Sequence, residues 1–472
     1  MSYVFGNSYE ENKKFLDNLI RLDKSFDVIG KTLVIGGRKA CYYLIDGFCK
    51  DEVMEKVLEF LYKLKPEEMS MSPEEFIDEH IPYGETTLIK DDEQFIQNFL
   101  SGVPILLIDG YNKMIATDFR TYPARSVDEP EKDKVMRGSR DGFVETVVFN
   151  TALIRRRIRD PRLVMEIHNI GRSSKTDVVV SYIEGRVNPR ILEEVNKRIA
   201  AIDVDALTMN LESFVECFYP HRWYNPFPKF KFSERPDTAA ASVLEGNIVI
   251  LVDNSPSAII VPTSVFDIVE DADDYYFPPI TGTYLRLSRL IIDIAALLLS
   301  PTFLLLMMNP EWIPEGLKFI MIKETINVPI LYQLLILEFA IDGMRLASLN
   351  TPNMLSTPLS IVAGIVLGDF TVSSGWFNSE IMLYMAFVAV ANYTQSNFEL
   401  GYALKFMRVI TLIATGIFGI YGYVAGVVLS VLALACNKSF KGYSYLYPLI
   451  PFNAKQLLRR FFRISLPGTE KG

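Results

Sequence analysis

Over the first 280 residues apolar and polar positions alternate on the short periods of strands and helices; beyond them the apolar runs lengthen and charges thin out. Two strand-like runs stand out in the first part. LSGVPILLID (100–109) and LEGNIVILVD (244–253) each place a glycine turn before an apolar stretch that closes on an aspartate. A second pair precedes them: YYLIDGFCKDEVMEKVLEFL (42–61) and VSYIEGRVNPRILEEVNKRI (180–199) both read as an apolar strand, an acidic residue with glycine, a short link and an amphipathic helix. Asp46 and Glu184 are 138 positions apart, while Asp109 and Asp253 are 144 apart. Two features in the same order at nearly the same offset predict a duplicated α/β subdomain, at 1–145 with an N-terminal extension and at 146–280. Asp109 and Asp253 each end a strand at a turn, where an aspartate caps its own backbone, so they are read as turn residues rather than as a catalytic pair.

Between the copies, GFVETVVFNTALIRRRIRDP (142–161) has Phe143, Val147, Ile154 and Ile158 at helical spacing until Pro161 closes the run. Arg155, Arg156, Arg157 and Arg159 wrap around the rest and are read as contacts to another subunit or to lipid headgroups.

From 281 to 436 the pattern predicts a helical membrane domain, since about 20 apolar residues cross the hydrocarbon of a bilayer. Four spans are read, at 287–308, 328–346, 380–394 and 409–436, with 357–375 as a re-entrant segment or part of a six-crossing arrangement. The last run holds 28 residues without a charge, about 42 Å of helix, with Gly416, Gly419, Gly422 and Gly426 in its middle. It predicts one long tilted helix or two hinged at the glycines. The second span carries Glu338, Asp342 and Arg345 at i, i+4 and i+7, one helical face. Charges in hydrocarbon cost about 2.5 to 3.5 kcal/mol each on insertion scales. That face must therefore meet protein or water, or close on itself through an Asp342–Arg345 pair at the helix end. Ser356, Ser360, Gly364 and Gly368 recur every fourth residue with Asp369 after them, a stripe that either packs two helices closely or lines a pore.

Charge adds orientation. The chain has a formal net charge of −9, yet the tail from Asn437 holds seven Lys or Arg against Glu470. Basic flanks, with Arg286 and Arg289 before the first span, predict that head and tail share the cytoplasmic side and that the number of crossings is even. KQLLRRFFR (455–463), in the tail 437–472, reads as a helix lying on anionic lipid. The four cysteines are far apart without a CxxC pair, and the three histidines share no ligand spacing, so neither a metal nor a disulfide framework is expected. No phosphate-binding glycine loop, GxSxG or HExxH occurs, and the acidic pI of about 5.2 argues against nucleic acid. The expectation is a non-enzyme without a cofactor.

RGSRDGFVETVVFNTALIRRRIRDP, GRSSKTDVVVSYIEGRVNP and SERPDTAAASVLEGNIVILVDNSPSAIIVP, followed by NVPILYQLLILEFAIDGMRLASLNTP, VLGDFTVSSGWF and NFELGYALKFMR, resemble the A subunits of GerA-type spore-germination receptors. The membrane part is most similar to the stage V sporulation protein AF branch. The resemblance covers about residues 30 to 465 and implies a two-part soluble head, a self-associating helical domain in the inner membrane of the spore, and partners among other germination proteins there. It also implies ion release that triggers or amplifies germination. The expectation is thus an α/β soluble head of two duplicated subdomains plus an all-α integral membrane domain, whose homo-oligomer conducts cations; the alternative is a non-conducting membrane scaffold that assembles receptor partners.

Overall fold

The recurring apolar runs form the middles of two sheets. The computed structural model describes residues 3–69, 72–81, 83–122, 134–219, 224–350, 371–395, 397–437, 440 and 443–464. The chain divides into two units, one comprising Met1–His221, Phe230–Pro262 and Phe440–Gly442, the other Arg222–Lys229, Thr263–Ser439 and Tyr443–Gly472.

The first unit contains β1 (Val28–Ile35), β2 (Arg38–Ile45), β3 (Thr86–Ile89), β4 (Ile105–Ile108) and β5 (Met114–Thr117), with helices α1 (Tyr9–Leu19), α2 (Asp51–Lys63), α3 (Pro73–His80) and α4 (Asp92–Phe99). It then builds β6 (Leu163–Ile170), β7 (Thr176–Ile183), β8 (Lys231–Ser233), β9 (Ile248–Val252) and β10 (Ala258–Val261), with α5 (Val147–Arg157), α6 (Pro189–Ala200), α7 (Leu211–Phe218) and α8 (Pro236–Leu244). The strands run in the order β1-β2-β4-β5-β3 in one sheet and β6-β7-β9-β10-β8 in the other, all neighbours antiparallel. The register also matches: Tyr42 faces Leu106 and Val180 faces Ile250, which are the same two positions displaced by 138 and 144.

Each sheet is apolar on both sides because helices cover both. On β2, Cys41, Tyr43 and Ile45 pack with Leu16, Phe95 and Phe99, whereas Ala40, Tyr42 and Leu44 pack with Leu58, Leu61 and Phe76. The period-2 alternation of a strand delivers successive residues to the two cores. In the second sheet, Val178 and Val180 face Val195 and Phe214, while Val179 faces Ile154 and Val243.

Helix α5 lies at the seam between the sheets, and this alters the reading of its arginines. Ala152 belongs to a core of the first sheet, Leu153 and Ile154 to a core of the second. The helix is thus buried on opposite faces, and Asp253 Oδ1 accepts from Val147 N at 3.0 Å at its start. Arg155 is not at a surface for lipid or another subunit: it is 1% exposed and bidentate to Asp27, with Nε and Nη2 donating at 2.8 Å. Ser25 Oγ accepts from Arg155 Nη2 at 3.1 Å, and the Leu163 carbonyl from Nη1 at 3.2 Å. Burial between two cores makes a bidentate carboxylate partner obligatory. Arg157 pairs with Asp141 and Arg156 stacks 4.7 Å over Tyr122, so Arg156 and Arg159 are the exposed members of the run.

The second unit is helical: α9 (Val265–Val269), α10 (Asp273–Tyr276), α11 (Pro279–Met308), α12 (Ile330–Asn350), α13 (Ser379–Tyr393), α14 (Phe398–Phe418), α15 (Ile420–Ala435) and α16 (Ala454–Phe461). The first three expected spans correspond to α11, α12 and α13. The 28-residue run does not begin a helix at 409: α14 starts at Phe398, carries Lys405 and Arg408 into the apolar stretch, and ends before Gly419 at φ 60°, after which α15 folds back. A methyl group on Gly422 would overlap the Ala414 carbonyl, and one on Gly426 would overlap Thr411, so these glycines permit the two arms to touch. Of the two readings of that run, the hinged pair is the structure.

Replacing Arg155 by alanine leaves Asp27 buried and unpaired; unfolding of the full-length protein, followed by circular dichroism, is expected to lose about 3–5 kcal/mol. At the rim of the same seam, Glu184 accepts from Lys24 Nζ at 2.6 Å and Arg21 Nε at 3.0 Å, and these bonds hold its carboxyl below the ordinary 4.5. Their stabilisation is complete above about pH 4.5 and lost as pH falls through the depressed value. Glu184→Gln is therefore expected to cost less than about 1 kcal/mol at pH 7, progressively less as pH falls below about 4.5, and nothing in molar salt, measured by the same unfolding assay.

Candidate functional site

Four charges of α12 and α14 meet at one place inside the apolar helices. Glu338 and Asp342 are one turn apart on α12, and Lys405 and Arg408 three residues apart on α14. The pairs meet in opposite order, Glu338 with Arg408 and Asp342 with Lys405, as antiparallel neighbouring helices require. Arg408 is fully buried and Glu338 is 3% exposed. Arg408 Nε donates to Glu338 Oε1 at 2.6 Å and Nη2 to Oε2 at 3.0 Å, a fork-to-fork pair. Its remaining donor reaches the Ala296 carbonyl of α11 and Asn392 Oδ1 of α13, so four helices converge on one guanidinium. Lys405 Nζ bonds Asp342, donates to the Glu338 carbonyl at 3.3 Å and lies 3.9 Å from Glu338 Oε2.

Of the face expected from sequence, Glu338 and Asp342 are drawn into this seam. Arg345 lies against aromatic rings, 4.9 Å from Phe398, 4.9 Å from Tyr402 and 5.8 Å from Tyr393. Lys405 and Arg408 were absent from the expected face, although their i, i+3 spacing on an apolar helix, opposite in sign to the i, i+4 acids of α12, is a signal visible in the sequence. A smaller polar joint lies at the start of α12 and α13: Gln333 Nε2 donates to Asn378 Oδ1, and Asn378 N to Gln333 Oε1, each at 2.9 Å. The stripe Ser356, Ser360, Gly364, Gly368 and Asp369 lies outside the described residues.

The basic tail helix turns part of its charge inward. Arg460 pairs with Glu270 at 2.6 Å and with Asp267, and Arg463 donates to the carbonyls of Tyr275 and Phe277. Arg286 on α11 holds the tail as well, through the Arg459 carbonyl at 2.9 Å. Burial raises the Asp274 carboxyl above its ordinary value although Arg289 and Arg286 lie beside it. Lys455, Leu458 and Phe462 remain exposed on the helix and its end.

Truncating one member of the central pair is expected to be far worse than removing both. Glu338→Ala leaves a buried guanidinium and costs about 3–5 kcal/mol, whereas Glu338→Leu with Arg408→Met recovers most of that loss, as read from thermal unfolding of the protein in lipid nanodiscs. Equal destabilisation by the single and double variants would contradict the pairing.

Comparison with known proteins follows the whole length of this arrangement. The family model described as Bacillus/Clostridium GerA spore germination protein matches residues 16–471. Stage V sporulation protein AF of Bacillus subtilis (strain 168) is 36% identical over 98% of this chain and 93% of its own length. The uncharacterized membrane protein YfkQ of the same organism is 29% identical, over 96% of this chain and 88% of its own. A crystal structure of the N-terminal domain of the A subunit of the Bacillus megaterium spore germinant receptor GerK3 aligns with 55% of this chain and 96% of that one, at 23% identity and a TM-score of 0.42. Among the described residues two helices, Pro279–Met308 and Phe398–Phe418, are long and apolar enough to cross a membrane by length and composition. The agreement of the family model from near the first helix to the end of the tail places the chain in the Bacillus/Clostridium GerA spore germination protein family.

Proposed function

We propose that this protein is a multi-pass subunit of a germination complex in the spore inner membrane, and that its homo-oligomer conducts monovalent cations when released from a closed state. The observation that carries the reading is the seam of Glu338, Asp342, Lys405 and Arg408 inside apolar helices. Four charges in hydrocarbon are retained at a cost of kcal/mol each on insertion scales, and such groups line ion pathways or lock the helices that do. Membership of the germination family and the sporulation and germination names of its relatives support the process. The head of two like sheets, which we take to descend from one duplicated unit, and the basic tail are assigned to the cytoplasmic, spore-core side. Partners are further copies of the chain, other germination proteins of that membrane, and anionic lipid at Arg156, Arg159 and the exposed face of the tail.

A second reading has its own support: the donors of Arg408 are engaged by Glu338, Ala296 and Asn392, as in a static anchor, which suits a non-conducting scaffold. The two separate on a substitution in the small-residue stripe. Purified protein in potassium-loaded liposomes is expected to assemble and release potassium under a germination trigger. Gly364→Trp or Gly368→Trp is expected to assemble and lose at least tenfold of that flux, whereas a scaffold would lose assembly. Assembled wild-type protein that passes no monovalent cation under any trigger would eliminate conduction.

A further inference from the structure

Within the helical unit, α9, α11, α14 and the tail helix α16 surround a cavity of about 230 Å³. A dry apolar cavity of about 150 Å³ already holds benzene, so this one has room for a ring or a short alkyl chain. Its walls are Phe227, Leu290, Leu297, Leu400, Leu404 and Leu434. Its charges are unequally satisfied. The three lining arginines face carboxylates: Arg286 meets Glu270 at 2.6 Å, Arg289 meets Asp274 at 3.1 Å, and Arg460 meets Glu270 at 2.6 Å. Asp293, 9% exposed on α11, also lines the cavity, but the hydrogen bond it accepts among the described residues comes from an uncharged group, Gln395 Nε2 at 2.8 Å. Gln395 is itself 8% exposed, and its Oε1 is buried without a hydrogen-bond partner among the described residues.

A buried carboxylate that lines the cavity without a bonded cation is complementary to an ammonium group. An anion entering the same space finds every lining arginine already ion-paired with a carboxylate, although Arg286 Nε makes no hydrogen bond among the described residues. We propose that the cavity binds a small apolar molecule carrying one protonated amine, its alkyl or aryl part against Leu297, Leu400 and Leu404 and its ammonium on Asp293. The amine would bridge α11 and α14, the two helices of membrane-crossing length, in a cavity that Arg460 and Phe461 of the tail also line.

The test is calorimetric titration of the full-length protein in phosphatidylcholine nanodiscs with n-hexylamine, hexan-1-ol and hexanoate, with empty nanodiscs as the blank for partition into lipid. Hexylamine is expected to bind at least tenfold tighter than hexan-1-ol, and hexanoate more weakly than either. Asp293→Asn is expected to reduce the amine to the level of the alcohol while keeping alcohol binding, and Leu404→Trp, which fills the wall away from the charge, to abolish both. The Leu404→Trp arm and the wild-type comparison stand if Asp293→Asn fails to fold. Amine binding no tighter than the alcohol, amine binding unchanged in Leu404→Trp, preferential binding of hexanoate, or a co-purified phospholipid that holds the cavity against hexylamine would each overturn the proposal. Binding is read without ion flux, so this proposal and the conduction reading fail separately.

Discussion

A guanidinium without access to water must keep its counter-charge within reach, and Arg408 imposes that condition on the helical unit. Glu338 meets two of its donors, and Ala296 and Asn392 take another. Because these groups come from α12, α11 and α13, the rotation of each helix about its own axis is set by one side chain on α14. Apolar packing alone leaves such rotations weakly determined, since leucine faces interchange at small cost; a buried ion pair does not. Lys405 and Asp342 repeat the constraint one turn away and fix the relative slide of α12 and α14. The exposed surfaces of the same helices are apolar, with Phe339, Phe406 and Ile417 facing outward. Polar groups turned in and apolar groups turned out is the arrangement expected where the surrounding solvent is lipid.

The sheet-bearing unit meets the same requirement with the same chemistry. Arg155 and Asp27 are each about 1–2% exposed in their side chains, and the pair joins residues 128 positions apart in sequence. The isolated carboxylate or guanidinium would be untenable between two apolar cores, so the correct apposition of the sheets is strongly preferred over any that separates them.

The central strands β2, β4, β7 and β9 were legible because an apolar run bounded by Asp-Gly or Glu-Gly turns has few other solutions, whereas the pairing of strands, set by contacts distant in sequence, was not. The matching register of Tyr42 with Leu106 and Val180 with Ile250 is already implicit in the two offsets. Arg155 was not legible: nothing local distinguishes it from Arg156 or Arg159, and its burial is decided by Asp27 and Ser25, in the turn before β1 more than a hundred residues upstream. The limits of α14 were misjudged for a related reason. A charge-free window treats Lys405 and Arg408 as flanks, whereas their partners on α12 let them lie inside the apolar stretch. Glu338 and Asp342 were identified as a face needing a partner; finding the partner required comparing two segments for opposite charge at compatible helical spacing. The Gly419 break was one of two readings open to sequence, and it is decided by how closely the backbones at Gly422 and Gly426 approach their neighbours.

The position of α5 bears on how the sheet-bearing unit can move. Two-lobed domains often open and close about a hinge, exposing a cleft to a ligand. Here the place a hinge would occupy is filled by a helix whose Ala152 belongs to one lobe and whose Ile154 belongs to the other, with a salt bridge in its last turn. Gaping would strip that salt bridge of its shelter and pull one helix out of two cores at once. The lobes should therefore travel as a single lever, so that a push on either one is delivered undiminished to whatever the other touches.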